Sequence, residues 1–282
     1  PGVHTIELYR GIENADIRHI TPRHEQGAGF MADGYARMSG KPGVVFVITG
    51  PGLANTMTPM AQARADSVPM IVVTGVNRRD SLGKGLGLLH ELPDQIGLSQ
   101  TVSKHAEHIE SGADLEGALT RSFAALEGRP GPVHIEVPTD VMDLPVLKPL
   151  SITTKRQQSQ PDLEPFVQAL ADSAHPVILV GGGCRRQDQA LTQLAEKLDA
   201  PVVQTVNARG SMHGHPLTVP ASPSLQSVRS LIAQADCVLA LGTELGPTDY
   251  DMYATGTYPE INTLLRIDVC DEQLARHPAE RT

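Results

Sequence analysis

The sequence predicts an α/β protein made of two open, mainly parallel sheets, each flanked by helices. Three observations predict it. Short apolar, β-branched runs recur along the chain and stop at Gly or Pro. Stretches of helical length lie between them. The rhythm breaks once, across residues 145–165, and then restarts.

In chain order, residues 25–38 read as the first helix, with Thr21 as N-cap, Pro22 at the first helical position and Glu25 as an acid in the first turn. Residues 44–49 (VVFVIT) are a continuous apolar run ending at Gly50-Pro51-Gly52. Residues 53–66 read as a helix, 70–74 (MIVVT) as a strand ending at Gly75, and 133–137 (VHIEV) as a strand ending at Pro138. All three runs are bounded by Gly or Pro, and the first two do not alternate apolar with polar, the pattern of parallel strands covered on both faces. Residues 114–126 read as a helix, with Asp114 as N-cap and Gly128 and Pro130 at the exit. From 145 to 165 the chain is polar and proline-rich with no apolar period, which predicts a linker. Strands then follow at 176–180, 202–205, 236–241 and 263–269, with a helix at 188–198. One domain is expected before about residue 150 and a second after about 160, within roughly 100–200 residues each.

Composition narrows the partners. Net charge is −9, and Arg78-Arg79 and Arg185-Arg186 are the only arginine pairs, so a nucleic acid is not expected. No apolar run approaches the roughly 20 residues that span a bilayer. Cys184, Cys237 and Cys270 are scattered, without zinc-ligand spacing, and read as thiols of a reducing cytosol. The chain opens at Pro1-Gly2 without Met, so residues are expected before it.

Ligands of open α/β sheets sit beyond the carboxyl ends of the strands. Residues 49–55, 75–95, 181–186 and 242–251 occupy such ends. Glu25 alone reads as a helix-entry acid. However, Gly27, Gly29 and Gly34 crowd the helix behind it, and each glycine costs a helix roughly 1 kcal/mol relative to Ala. Something must approach this backbone closely: a helix, a subunit or a cofactor. Gly50-Pro51-Gly52, ahead of Asn55, reads either as a phosphate cradle or as a tight turn without ligand. Gly83-Lys84-Gly85 lacks the Ser or Thr of a P-loop, and Arg186 stands where the dinucleotide fingerprint after Gly181-Gly182-Gly183 wants a small residue.

Together these pieces are more specific. Residues 23–75, RHEQGAGFMADGYARMSGKPGVVFVITGPGLANTMTPMAQARADSVPMIVVTG, resemble the pyrimidine-binding domain of the thiamine-diphosphate-dependent acetolactate synthase and 2-oxo-acid decarboxylase family. TVSKH (101–105) and GPVHIEVP (131–138) continue the resemblance; PVILVGGG (176–183) and LLRIDVCDEQL (264–274) resemble the central domain. The resemblance implies a pyrimidine domain over 1–148, a linker over 149–162 and a Rossmann-like central domain over 163–282. A third, diphosphate-binding domain with the Mg2+ ligands is not in this chain, which has no Gly-Asp-Gly motif.

It further implies that Glu25 is the carboxyl group that activates the cofactor's aminopyrimidine. Gly50, Pro51 and Asn55 would lie against that ring. The loop 242–251 (GTELGPTDYD) has no Arg, so FAD is not expected. Residues 76–95 are more similar to the 5-guanidino-2-oxopentanoate decarboxylase branch than to acetolactate synthases. There His90 reads as a general acid or as a partner of Glu91 or Asp94, and Gln95 as a substrate-facing donor. The implied protein is a cytoplasmic homo-oligomer, at least a dimer, acting on a small 2-oxo acid. A carboligase, and a nucleotide-binding protein using residues 181–183, stay open as alternatives.

Overall fold

The computed structural model describes residues 2–146, 149–154, 161–257, 259–277, 279–280 and 282. The chain divides into two compact units, Pro1–Gln158 and Ser159–Thr282. Part of the predicted linker, 147–148 and 155–160, lies outside the described residues.

In the first unit a 3-10 turn, Val3–Thr5, leads into α1 (Ile6–Glu13). There follow α2 (Glu25–Ser39), β1 (Gly43–Val47), α3 (Pro51–Ala65), β2 (Met70–Val76), α4 (Gln95–Gln100), β3 (His105–His108), α5 (Leu115–Ala124) and β4 (Pro132–Pro138). The sheet order is β1-β2-β4-β3, every pair parallel. The central strands are covered on both sides, and successive residues of β2 face opposite layers. Met70 and Val72 pack with Ala32, Val45, Leu53 and Met60 beneath α2 and α3, while Ile71 packs with Ala118, Val133 and Ile135 beneath α5.

The glycines of α2 now have particular neighbours. A Cβ on Gly29 would lie 2.2 Å from Pro59 Cγ in α3, and one on Gly43 would lie 2.3 Å from the Ala32 carbonyl oxygen. The close approach at Gly29 is therefore made by α3, within the same unit. Gly34 faces open space.

One local reading is corrected, one holds in position alone, and one strand was not anticipated. The N-cap of α2 is His24, in extended conformation with its Nδ1 accepting from the Gln26 amide at 3.1 Å; Thr21 and Pro22 precede the helix. Asp114 does stand at the N-cap of α5, but its side chain makes no cap bond and accepts instead from the Ser111 hydroxyl at 2.6 Å. Strand β3 was not predicted, because HAEH at a half-buried sheet edge has no apolar run to betray it.

The second unit contains α6 (Glu164–Ala171), β5 (Pro176–Val180), α7 (Asp188–Leu198), β6 (Val202–Gln204), α8 (Gln226–Gln234), β7 (Cys237–Leu241), α9 (Met252–Thr255), β8 (Leu264–Ile267) and α10 (Asp271–Leu274). Its order is β6-β5-β7-β8, again parallel. Ile178 and Val180 pack with Leu191 and Ala195 of α7; Val177 and Leu179 pack with Val228 and Ile232 of α8. Among the described residues no helix is long and apolar enough to cross a membrane.

Candidate functional site at the carboxyl edge of the first sheet

Strands β1 and β2 run parallel, so their carboxyl ends open on the same edge, where α/β sheets hold ligands. Glu25 is the first residue of α2, half-buried, where exposed helix amides favour a negative charge. Asn55, near the start of α3, donates from Nδ2 to Glu25 Oε2 at 3.0 Å. The tight α2–α3 packing at Gly29 and Pro59 sets the distance between these helices. The structure thus brings together two residues singled out separately in the sequence. Oε1 of Glu25 has no hydrogen-bond partner among the described residues.

Gly50 joins β1 to α3 with φ +60° and ψ −108°, a conformation that strains any residue with a Cβ. A Cβ there would also lie 2.4 Å from the His90 carbonyl oxygen. The Gly50 amide donates to Gln95 Oε1 at 2.7 Å. It is therefore committed inside the fold, which disfavours a phosphate cradle at this turn. Pro51 is the first residue of α3 and is exposed. An open carboxylate oxygen, an amide donor and an exposed proline ring suit the edge of a polar heterocycle.

Gln95 corrects its sequence reading. It is 4% exposed and faces the interior rather than a substrate. Its Oε1 also accepts from Thr49 Oγ1 at 2.7 Å, while Nε2 donates to Glu136 Oε2 at 2.7 Å and, at 3.1 Å each, to Thr74 Oγ1 and the Gly75 carbonyl. The network continues on two sides. His134 bonds Thr74 Oγ1 through Nε2 at 2.8 Å and Ser99 Oγ through Nδ1 at 2.7 Å, and burial pushes its pKa down to about 3, so it stays neutral. Glu136 Oε1 lies 2.7 Å from His108 Nδ1, and this hydrogen bond holds the His108 imidazole above the usual histidine range.

His90 sits in the loop after β2 at φ +57°, a sparsely populated region for a non-glycine residue. It bonds neither neighbouring acid. Glu91 accepts instead from the Leu86 and Leu88 amides at 3.2 and 3.0 Å, bonds that hold its carboxyl below the usual range, and Asp94 caps α4 through the Gly97 amide at 2.7 Å. The His90 ring stacks on His4, with centroids 6.1 Å apart and planes at 29°. Sequence reasoning missed His4, Glu136 and His134, which are single polar letters inside apolar or featureless runs.

In the second unit the three-glycine segment serves close backbone packing. Gly181 and Gly183 donate their amides to the carbonyls of Leu241 and Gly242 at 2.9 and 3.0 Å, and a Cβ on Gly181 would lie 2.2 Å from the Gly242 oxygen. These amides are not available to a nucleotide. In the neighbouring loop Leu245 and Tyr250 are fully buried. Among the described residues no group of three His, Cys, Asp or Glu side chains could hold a metal.

The first unit matches the family described as thiamine pyrophosphate enzyme, N-terminal TPP binding domain, over residues 1–98; the second matches the thiamine pyrophosphate enzyme central domain over 163–281. The protein named "Probable 2-ketoarginine decarboxylase AruI" of Pseudomonas aeruginosa is 42% identical over 276 residues, 95% of this chain and 49% of its own length. Acetolactate synthase of Mycobacterium leprae is 35% identical over 245 residues, 80% of this chain and 38% of its own. A solved structure, described as "X-ray structure of a putative thiamin diphosphate-dependent enzyme isolated from Mycobacterium smegmatis", aligns at TM-score 0.84 and 25% identity, covering 99% of this chain and 55% of that one. The chain spans about half the length of the first of these relatives, and less of the second. With two parallel α/β units in the family's order and both of its domains matched, this chain belongs to the thiamine pyrophosphate enzymes.

Proposed function

We propose that the protein carrying this chain is a thiamine-diphosphate- and Mg2+-dependent enzyme that decarboxylates a 2-oxo acid without oxidation, releasing an aldehyde and CO2. The proposed substrate is 5-guanidino-2-oxopentanoate, the 2-ketoarginine in the name of the 42% identical relative. One observation carries the reading: Glu25 stands at the entrance of α2 with one oxygen held by Asn55 and the other open, beside the turn at Gly50 and Pro51.

These residues fit the aminopyrimidine end of the cofactor. Glu25 Oε1 would exchange a proton with the ring nitrogen N1′, Asn55 would keep the carboxyl group oriented, and Pro51 would lie against the ring. Diphosphate and Mg2+ are assigned to the third domain that the resemblance implies. When bound, thiamine diphosphate supplies the nucleophilic carbon and the electron sink for loss of CO2. His90 is proposed as the acid that returns a proton to the substrate carbon.

We place the working enzyme in the cytoplasm as a homo-oligomer. Phe30, Met31, Tyr35 and Met38 are exposed along α2, Met38 by 84%, an apolar face that a second copy would cover. FAD is not part of the proposal.

The acetolactate synthases among the relatives keep carboligation as a second reading. The full protein, incubated with thiamine diphosphate, Mg2+ and a panel of 2-oxo acids, separates the two. Aldehyde release supports decarboxylation; an acyloin product with no free aldehyde replaces it with carboligation.

A further inference from the structure

Beyond β2 the chain runs through Gly83, Gly85 and Gly87, at φ +70°, +62° and +73°, and a Cβ at any of them would meet nothing within 4 Å. Packing does not demand these glycines; the left-handed backbone does. Alternation of this kind turns successive amides toward one point, a concavity that holds an anion. Here the anion is the chain's own Glu91, with the Leu86 amide on Oε1 at 3.2 Å and the Leu88 amide on Oε2 at 3.0 Å.

Amides fix this carboxylate in place without cancelling its charge. The other acids of the segment are committed differently: Asp80 pairs with Arg78 at 3.5 Å, and Asp94 caps α4 through the Gly97 amide. Glu91 has no ion-pair partner among the described residues, and the loop's own Lys84 is exposed. A carboxylate offers about four lone-pair sites, so one amide on each oxygen leaves one site per oxygen. That parallel pair is what a planar guanidinium fork takes up.

The surroundings suit the rest of such a group. Leu86, Leu88 and Leu89 are 60%, 39% and 57% exposed, apolar surface of the kind along which an arginine's methylene stem lies. The tail of 5-guanidino-2-oxopentanoate is that same stem and fork. Its place is right as well: the carbonyl of His90, the residue before Glu91, packs on Gly50 in the turn assigned to the pyrimidine.

We propose that Glu91 is the specificity-determining residue of this site, its carboxylate receiving the guanidinium of a cationic 2-oxo acid while the exposed leucines line the methylene stem. This rests on the decarboxylase reading. Glu91 selects the substrate and takes no part in bond breaking. An uncharged chain leaves its carboxylate without a partner, and an acidic chain is repelled.

The test is Glu91→Gln in the full protein loaded with thiamine diphosphate and Mg2+. Glutamine keeps the length and one amide-accepting oxygen, and removes the charge. Aldehyde release is followed from 5-guanidino-2-oxopentanoate and from 2-oxooctanoate, the uncharged acid of equal length. For the guanidino acid kcat/KM should fall by roughly 10–150-fold, the scale of a lost charge-assisted hydrogen bond. The loss should lie mainly in KM, because the pair is made in ground and transition states alike, and 2-oxooctanoate should stay within about threefold.

Equal loss for both acids makes Glu91 a loop staple and overturns the proposal, as does undiminished turnover of the guanidino acid. A wild-type protein that decarboxylates 2-oxooctanoate and not the guanidino acid overturns it too. Wild type that forms an aldehyde from neither overturns the decarboxylase reading itself. Should Glu91→Gln not fold, wild type decides through inhibition of 2-oxooctanoate turnover. Propylguanidinium competing at least ~10-fold more strongly than its uncharged isostere N-propylurea supports the charge pair, and equal competition overturns it.

Discussion

Replacing Gln95 by leucine preserves much of the side-chain volume and removes every polar contact that Gln95 makes. Five groups then lose a partner, and the three held at 2.7 Å, the Gly50 amide, the Thr49 hydroxyl and one oxygen of Glu136, lose the shortest bonds. Each costs about 1–3 kcal/mol when left unsatisfied, and the Thr49 hydroxyl can turn to another acceptor, so the expected loss is roughly 4 kcal/mol. Hydrogen exchange at the Gly50 amide reads this directly. That amide is protected by Gln95, and a 4 kcal/mol cheaper opening accelerates its exchange by about a thousandfold, at 1.4 kcal/mol per factor of ten. Cofactor affinity should fall as well, because the turn bearing Pro51 loses its anchor. A Gly50 amide that exchanges within about fivefold of the wild-type rate would refute the reasoning.

Two further outcomes follow from the same edge of the sheet. Gly50→Ala forces a Cβ to φ +60° and into the His90 carbonyl, so denaturant unfolding should show a loss of at least ~2 kcal/mol; a neutral effect would mean that the turn relaxes freely. His108 is raised by its bond to Glu136, so its stabilising contribution is full below its ordinary pKa, near 6.5, and fades as pH rises through the raised value. The stability deficit of His108→Gln should thus be larger near pH ~6 than at pH ~9, and a deficit that grows with pH would contradict the pairing.

The layers of the fold were largely legible in residue order. MIVVTGV and PVILV are apolar on both faces because parallel strands are covered by helices on both sides, and β2 and β5 stand where those runs lie. The segment HAEH gave no such signal: at the sheet edge, half-buried polar side chains suffice for β3. The helix entry was displaced because Thr21-Pro22 satisfies the local capping pattern, yet it is His24 that meets the Gln26 amide. Within the candidate site, Glu25, Gly50 and Asn55 could be marked singly; their meeting depends on how Gly29 seats against Pro59, which composition does not encode. Gln95 was marked for the opposite face. A glutamine in a loop after a strand looks the same whether it greets a ligand or, as here, ties Gly50 to Glu136. His4 gave no pattern at all, since its significance comes from a neighbour 86 positions away.

The account turns on Glu25, and one measurement reaches it most directly: hydrogen–deuterium exchange at the thiazolium C2 carbon of thiamine diphosphate bound to the full protein, with and without Glu25→Gln. The substitution keeps the side chain's size and an oxygen for Asn55, so folding should be unaffected. If Glu25 activates the pyrimidine, C2 exchange and aldehyde formation should both slow by about 10²-fold or more, the scale of a lost acid–base group. C2 exchange at the wild-type rate in a folded, cofactor-loaded Glu25→Gln protein would contradict the assignment.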